Sequence, residues 1–258
     1  MKIELEQLSR QANELKLHGL LAHWHEISEE GHAMLAQWLD WELTVRKQRS
    51  LERRLTNAKL GRFKPLTEFD WQWPKNIDQT CVHQWMQLDF LTQEINPIII
   101  GGNGVGKSTI AQNIAYQAVM QGHTVIFTSA ANMLNELAAL DGDNALRRRL
   151  AYYGKPKLLV IDEVGYLSYS NRHADLLFEI INRRYEKNST IVTTNRPFSE
   201  WNEVFPNAAC VASLIDRLVH HSEVLAIEGD SYRMKEAKEQ ASKRRDAKNA
   251  KRKSKGAP

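Results

Sequence analysis

The sequence predicts an α/β fold in which a parallel β-sheet is covered by helices on both faces. From about residue 75 to about residue 232, short apolar runs rich in β-branched residues alternate with longer amphipathic stretches. The five runs are residues 97–100, 124–127, 158–161, 190–193 and 223–227. Continuous apolar runs separated by helices are typical of parallel strands buried on both faces.

The composition excludes two classes of protein. The 258 residues include 35 Lys and Arg, 31 Asp and Glu and 42% hydrophobic residues, so the chain is not globally disordered. No apolar run approaches the roughly 18 residues that cross a bilayer, so we expect no membrane partner. The first residues carry acids where a signal peptide is apolar, and Cys81 and Cys210 are isolated. We therefore expect a cytoplasmic protein with two free thiols.

Two further regions flank the sheet domain, which we place at residues 65–235. Residues 1–64 have apolar side chains at helical spacing and predict a small N-terminal helical domain, with Trp24, Trp38 and Trp41 in its core. Residues 236–258 predict a basic tail, either disordered or a frayed helix. From Lys235 onward the net charge is +7, whereas the rest of the chain carries −3, which favours a tail that binds polyanions.

A glycine-rich loop follows the first predicted strand and opens a helix. It fits the pattern G-x-x-x-x-G-K-[ST] with Gly101, Gly102, Asn103, Gly104, Val105, Gly106, Lys107 and Ser108. Glycines let successive N–H groups surround a phosphate, and the helix N-terminus adds partial positive charge. Lys107 is expected to reach the β- and γ-phosphates, and the Ser108 hydroxyl to hold Mg²⁺.

The third predicted strand ends in two acidic residues, Asp162 and Glu163. Asp162 is expected to bind Mg²⁺ through water, and Glu163 to activate the attacking water. An apolar run ending in two acids is by itself compatible with a surface strand end. Its position 55 residues after Lys107, with one strand–helix unit between, favours hydrolysis of a bound nucleotide.

Polar residues also end the fourth predicted strand, at the sheet edge where ligands of open α/β sheets bind. Asn195 is a candidate for contact with the attacking water or the γ-phosphate. The alternative is that residues 193–195 are only a transition from strand to loop before Pro197.

Together these residues resemble the AAA+ ATPases of the initiator type, the group of DnaA and the DnaC helicase loader, and in particular the IstB-like family of transposon helper ATPases. The resemblance covers about residues 40 to 236. The stretches that carry it are residues 49–55, 69–70, 159–167, 182–186, 195–201 and 216–221.

The resemblance implies an AAA+ P-loop core that uses ATP and Mg²⁺ and assembles with ATP at subunit interfaces. It implies that residues 101–108 and Thr109 hold ATP, that Asp162 and Glu163 form the Walker B pair, and that Asn195 is the first sensor. It also implies that the chain binds duplex DNA and a cognate transposase.

The resemblance implies further roles for arginines. Arg217 would act as an arginine finger on a neighbour's ATP, and Arg233 lies where a second-sensor arginine is found. Arg183 and Arg184 compete with Arg217, since an NTPase needs a cation on the developing γ-phosphate charge, often from another subunit.

Two basic regions are candidate DNA contacts. Residues 129–157 are longer than one crossover helix, and the resemblance implies an extra helix that faces nucleic acid; its basic residues are Arg147, Arg148, Arg149 and Lys155. Such residues contact phosphates, and the alternative is a solvated helix face. Arg46, Arg49 and Arg53 lie on one face of an N-terminal helix, where DNA or partner contact competes with intrahelical ion pairs.

The function expected from the sequence is an ATP-dependent, DNA-binding oligomeric ATPase that assists a transposase. A helicase loader acting on single-stranded DNA is the nearest alternative. An architectural DNA binder switched by ATP is less favoured because Glu163 lies next to Asp162.

Overall fold

The computed structural model describes residues 2–166, 169–205 and 209–242, with side chains from residue 5 onward. Residues 243–258 of the expected tail lie outside the described residues, whereas residues 232–242 are helical. Contacts divide the chain into two units, Met1–Thr56 and Asn57–Pro258. The domain limits expected at residues 64 and 235 stay predictions.

The first unit is helical, as its apolar spacing predicts. Its helices are α1 (Lys2–Glu14), α2 (His18–Ala22) and α3 (Glu29–Ala58), of which α3 continues to the start of the second unit. Ala12, Leu15, Leu39 and Leu43 are buried together, and Trp24 packs against them. These residues recur at steps of three and four, so they share one face of each helix.

The prediction that Trp38 and Trp41 belong to this core is wrong. Their side chains are 51% and 57% exposed, whereas Leu39 and Leu43 of the same helix are 3% and 5% exposed. Successive residues of a helix are rotated by roughly 100° about its axis, so the face that buries Leu39 and Leu43 leaves the two tryptophans outside.

The second unit contains a five-stranded parallel sheet, which confirms the predicted fold class. The strands are β1 (Asn96–Gly101), β2 (Val125–Ser129), β3 (Leu158–Val164), β4 (Ser189–Thr194) and β5 (Ser222–Ile227). Each overlaps one predicted apolar run. Their order across the sheet is β2–β3–β4–β1–β5, and every neighbouring pair is parallel.

Helices join and cover these strands. They are α4 (Gln79–Gln87), α5 (Lys107–Met120), α6 (Ala130–Ala138), α7 (Asp143–Gly154), α8 (Asn171–Arg184), α9 (Trp201–Val204) and α10 (Val211–His220). Helices α5, α6 and α8 pack against the strands, and Ile98, Leu159, Ile161 and Val192 are fully buried or nearly so. In the part of the chain that the structure describes, no helix is both long and apolar enough to span a membrane.

The parallel arrangement brings the ends of three strands to one edge of the sheet. β4 lies between β1 and β3, so Gly101, Asp162 and Thr193 come from adjacent strands. The carboxyl edge of an open parallel sheet is where such folds bind ligands. The strand order therefore brings the glycine-rich loop, the two acidic residues and the end of β4 to the same edge of the sheet.

Candidate active site

The glycine-rich loop connects β1 to α5 in a conformation that requires glycine. Gly104 and Gly106 have φ angles of 79° and 106°, in the left-handed region. A Cβ atom on Gly106 would lie 2.4 Å from the Phe69 ring, and one on Gly104 would lie 2.2 Å from Oγ of Ser231. No other residue fits at either position. The loop leads into the N-terminus of α5, where the first N–H groups of the helix lack helical partners.

Lys107 begins α5 and is only 4% exposed. Its Nζ donates hydrogen bonds to the carbonyl oxygens of Gly101 and Gly102, at 2.7 and 2.6 Å. Burial lowers the pKa of this ammonium group to about 8; Asp162 opposes the shift and Arg233 adds to it. The group is still mainly protonated at neutral pH, so the loop holds a desolvated cation.

Three side chains meet at the carboxylate of Asp162. Oδ1 of Asp162 accepts hydrogen bonds from Ser108 Oγ at 2.9 Å and from Thr193 Oγ1 at 2.5 Å. Asp162 and Thr193 are almost completely buried. Hydroxyl and carboxylate oxygens are the ligands that Mg²⁺ prefers, so the donor set of Ser108 and Asp162 fits this ion.

Glu163 follows in an unusual backbone conformation. Its φ angle is +62°, a left-handed value that is uncommon for residues other than glycine. Its N–H donates a hydrogen bond of 2.9 Å to Oγ1 of Thr193. Asp162 and Glu163 both line the same cavity although neighbouring residues of a regular strand face opposite sides.

The cavity at this edge has a volume of about 510 Å³. It is lined by the glycine-rich loop, by both acidic residues and by two segments distant in the sequence. The additional residues are Arg62, Phe63, Lys64, Glu68, Phe69, Asp70, Trp73, Pro74, Gln112, Tyr166, Tyr232, Arg233 and Glu236. A cavity with an aromatic side and a phosphate-binding loop is suited to a nucleotide.

A segment after β5 lies against the glycine-rich loop. We call residues 231–236 the strap. Tyr232 donates its backbone N–H to the carbonyl of Gly104 at 2.9 Å. Lys235 forms an ion pair of 2.8 Å with Asp70, and its Nζ lies 4.4 Å from the centre of the Trp73 ring. The strap therefore joins the loop to the segment at residues 69–73, and it carries Arg233 to the cavity. The role of Arg233 as a second sensor stays a prediction.

The sequence alone does not predict most of this side of the cavity, which the strap and the segment at residues 69–73 form. Residues 69–70 are part of the family resemblance, which gives them no role. The available signal was the cluster of aromatic residues at positions 69–73 together with Tyr232 next to Arg233. The sequence does not show that either group of residues lies next to the glycine-rich loop, because only the fold brings the three segments together.

Asn195 lies at the expected edge of the sheet, one residue beyond β4, but it is not among the residues that line the cavity. Its Oδ1 is buried and has no hydrogen-bond partner in the described part of the chain. A Cβ atom on Gly165 would lie 3.4 Å from this oxygen. The assignment of Asn195 as a sensor stays a prediction.

Comparisons with known proteins show the family of this chain. The sequence profile of the family described as IstB-like ATP binding protein matches residues 10–241. The chain belongs to this family. It is 35% identical over 240 residues to a protein of insertion sequence IS21 from Pseudomonas aeruginosa that is named for ATP binding, covering 90% of this chain and 89% of the relative. It is 33% identical to the corresponding protein of IS232 from Bacillus thuringiensis subsp. berliner, with 92% and 97% covered.

Solved structures confirm the fold. A crystal structure of DnaI matches with a TM-score of 0.54 and 18% identity, over 63% of this chain and 90% of that chain. A replication initiator DnaA bound to AMPPCP and single-stranded DNA matches with a TM-score of 0.52 and 22% identity, over 69% and 54%. The sheet and its helices are therefore an AAA+ P-loop core, as the resemblance implied.

In this member of the IstB-like family, the candidate trans-acting arginines differ in burial. Arg217, on α10, does not line the cavity; it donates a hydrogen bond to Asn182 and lies 4.7 Å from the centre of the Phe178 ring. Arg183 pairs with Glu179 one turn earlier on α8.

Arg184 is only 1% exposed. Its guanidinium donates to Oγ1 of Thr190 and to four carbonyl oxygens, those of Tyr153, Gly154, Pro156 and Ser189. A side chain buried in this way cannot extend into the site of another subunit. Of the three arginines that the sequence left open, Arg184 is therefore excluded by its burial, Arg183 is paired with Glu179, and Arg217 remains the candidate.

The region between β2 and β3 contains two helices, α6 and α7, rather than one crossover helix. Arg147, Arg148 and Lys155 are exposed. Arg149 is not free in the same way, because it forms an ion pair with Glu136 and lies 4.4 Å from the centre of the Tyr152 ring. Three of these cations therefore face solvent, whereas the fourth, Arg149, holds α7 to α6.

The basic residues of α3 differ in a similar way. Arg46 forms an ion pair with Glu42 and donates to the carbonyl of Leu15 at 3.3 Å. Arg49 and Arg53 are exposed on the same helix. The structure contains the intrahelical ion pair expected as one alternative for Arg46. Contact of Arg46, Arg49 and Arg53 with DNA stays a prediction.

Proposed function

We propose that this protein is an ATP-dependent, DNA-binding ATPase that assembles into an oligomer and assists a transposase. One observation carries the ATPase part: Asp162 and Glu163 line the same cavity as the glycine-rich loop, with Ser108 hydrogen-bonded to Asp162. The relatives in insertion sequences support a transposase as partner. The cytoplasm is the expected location.

In the proposed reaction, the N–H groups of residues 101–108 and of Thr109 bind the phosphates of ATP. The ammonium group of Lys107 exchanges its two hydrogen bonds to loop carbonyls for hydrogen bonds to phosphate oxygens. These charge-assisted hydrogen bonds replace the contacts with water that the group loses on burial. Ser108 and Asp162 hold Mg²⁺, which offsets negative charge on the transferred phosphoryl group when it is bound.

Glu163 acts as the general base. Its carboxylate accepts a proton from the water that attacks the γ-phosphate, and Asn195 orients this water from the end of β4. Arg233, carried by the strap, contacts the phosphates from the same subunit.

Arg217 supplies the remaining positive charge from a neighbouring subunit. It lies outside the cavity of its own subunit, so it is available to the cavity of another. Hydrolysis then depends on assembly, because neither subunit alone contains a complete site. ATP binding favours the oligomer, and hydrolysis favours its dissociation or transfer of DNA to the partner.

DNA binding is proposed for the exposed cations of α7, with a contribution from Arg49 and Arg53. Arg147, Arg148 and Lys155 offer phosphate contacts without sequence preference. Arg149 contributes through the position of α7, because it is already paired with Glu136. The basic residues beyond residue 242 would add further electrostatic attraction.

The proposal is tested by titrating the full-length Glu163→Gln variant onto labelled duplex and single-stranded DNA of equal length, with and without ATP and Mg²⁺. Fluorescence anisotropy is expected to show cooperative binding to the duplex that requires ATP. A Lys107→Ala variant is the control and should bind equally weakly with and without ATP. Preference for the single strand would instead support a helicase loader, and binding independent of ATP would contradict ATP-gated assembly.

A further inference from the structure

Thr193 is the residue that joins both Asp162 and Glu163 to the neighbouring strand. It is the penultimate residue of β4 and is fully buried. Its hydroxyl donates to Oδ1 of Asp162 at 2.5 Å and accepts from the N–H of Glu163 at 2.9 Å. A single side-chain oxygen thus contacts the side chain of one acid and the backbone of the other.

This contact occurs where the pairing of β3 with β4 is irregular. Ile161 pairs with Val192 and Val164 pairs with Thr194, so Asp162 and Glu163 together stand opposite Thr193. Two residues opposite one is the arrangement of a β-bulge, which redirects side chains and leaves a ladder hydrogen bond unmade. The hydroxyl of Thr193 accepts the N–H of Glu163 that the regular ladder no longer pairs.

The bulge has a direct consequence for the cavity. In a regular strand, adjacent side chains point to opposite faces of the sheet, so only one of two consecutive acids could reach the bound nucleotide. The left-handed φ of +62° at Glu163 changes this direction, and both acids line the cavity. Such a conformation is strained and persists only when the surrounding structure fixes it.

We propose that Thr193 is a positioning residue for ATP hydrolysis: its hydroxyl fixes the Asp162 carboxylate and the Glu163 backbone at the bulge and so directs both acids into the cavity. This inference rests on the proposed function, since it assigns Thr193 a part in that reaction. Thr193 acts through the two acids and does not itself contact the nucleotide. Only the hydroxyl carries the role.

The test compares full-length Thr193→Val, which removes the hydroxyl at nearly constant shape, with Thr193→Ser, which retains it. Thr190→Val is the matched control, because Thr190 is a buried threonine of the same strand whose hydroxyl accepts from Arg184 instead. Thr193→Ala removes the same hydroxyl with less volume and is used if the valine variant does not fold. Thermal unfolding establishes which variants are folded at the assay temperature.

Two measurements are made on each variant: kcat and KM for ATP, and the Mg²⁺ concentration at which binding of a fluorescent ATP analogue is half-enhanced. Thr193→Val is expected to lower kcat by about 10²-fold, the loss that a misplacement of about 1 Å produces, with a much smaller change in KM. It should also raise the Mg²⁺ requirement, because the Asp162 carboxylate is no longer held. Thr193→Ser should restore both properties, and Thr190→Val should lower stability only.

The inference is overturned if folded Thr193→Val matches the wild type in kcat and in Mg²⁺ requirement. It is also overturned if Thr193→Ser is as impaired as Thr193→Val, since packing rather than the hydroxyl would then be responsible. A wild-type chain that binds ATP without hydrolysing it would contradict the proposed function separately. The Mg²⁺ requirement of the variants would then decide the role of Thr193.

Discussion

The hydroxyl of Ser108 lies 2.9 Å from Oδ1 of Asp162, although the two residues are 54 positions apart in the sequence. One residue comes from the first turn of α5 and the other from the end of β3. This contact places the two proposed Mg²⁺ ligands together before any ion is considered. We therefore predict that neutralising the Asp162 carboxylate weakens the binding of Mg²⁺.

The Asp162→Asn variant should bind ATP in EDTA as the wild type does but lose the gain in affinity that Mg²⁺ provides. Its Mg²⁺ affinity should fall by at least about tenfold, the lower end of what a metal's supporting groups contribute. Titration of Mg²⁺ against a fluorescent ATP analogue measures this. Asp141→Asn, at an exposed position, is the control; equal Mg²⁺ affinity in the two variants would argue against the assignment.

Arg184 should matter for stability rather than for catalysis between subunits. Burial lowers its pKa to about 9, so it is still charged at neutral pH, and it holds four carbonyl oxygens and a hydroxyl. Replacing it with Met leaves buried acceptors unpaired, at about 1–3 kcal/mol each, so the free energy of unfolding should fall by several kcal/mol.

Urea unfolding of Arg184→Met and Arg183→Met provides the comparison. Arg183 forms a half-exposed pair with Glu179 and should contribute less than about 1 kcal/mol. Equal losses for the two variants would show that the hydrogen bonds of Arg184 are not important for stability.

Arg217 should act on the ATP of another subunit. Arg217→Ala and Glu163→Gln should each hydrolyse ATP slowly, yet an equal mixture should regain activity. About a quarter of the interfaces in a random head-to-tail mixture would combine an intact Glu163 with a neighbour's intact Arg217. Steady-state phosphate release measures the recovery. No recovery in the mixture, under conditions where the wild type assembles, would place Arg217 in its own subunit's site or outside the reaction.

The strap should contribute modestly to nucleotide affinity through the ion pair between Lys235 and Asp70. Lys235→Ala and Asp70→Asn should each weaken binding of a fluorescent ATP analogue only slightly, because a solvent-exposed ion pair contributes little. The double variant should lose little more than either single variant, because the two residues share one interaction. Lys238→Ala, at an exposed position farther along the same helix, should have no effect. Additive losses would mean that the two residues act independently.

The residues that the sequence predicts well are those whose local pattern already contains the chemistry. Residues 101–108 form the tight loop between β1 and α5 because of their own glycines, and the apolar runs of β1, β3 and β4 form strands that are buried on both faces. The run of β5 also forms a strand, but at the edge of the sheet, where Val224 is exposed. The parallel order then brings Asp162 to Ser108 without further information. The family resemblance agreed with the same motifs, so the fold and the central residues were accessible before the structure.

The remaining features depend on tertiary contacts that a sequence pattern does not carry. Trp38 and Trp41 have helical spacing, but Leu39 and Leu43 are the residues that face the core. Arg184 looks like a surface arginine beside Arg183 until the carbonyls of two separate segments, residues 153–156 and Ser189, surround it. Thr193 looks like an ordinary strand residue, because a bulge in β3 is visible only in its pairing with β4.

The most direct test of the account is phosphate release from ATP by the wild type and by Glu163→Gln, measured in Mg²⁺ and in EDTA at protein concentrations that allow assembly. The wild type should turn over ATP only with Mg²⁺. Glu163→Gln should bind the nucleotide with similar affinity and hydrolyse it at least about 10²-fold more slowly, the contribution expected of a general base. Equal rates for the two proteins would contradict the assignment of Glu163, and turnover in EDTA would contradict the site built on Ser108 and Asp162.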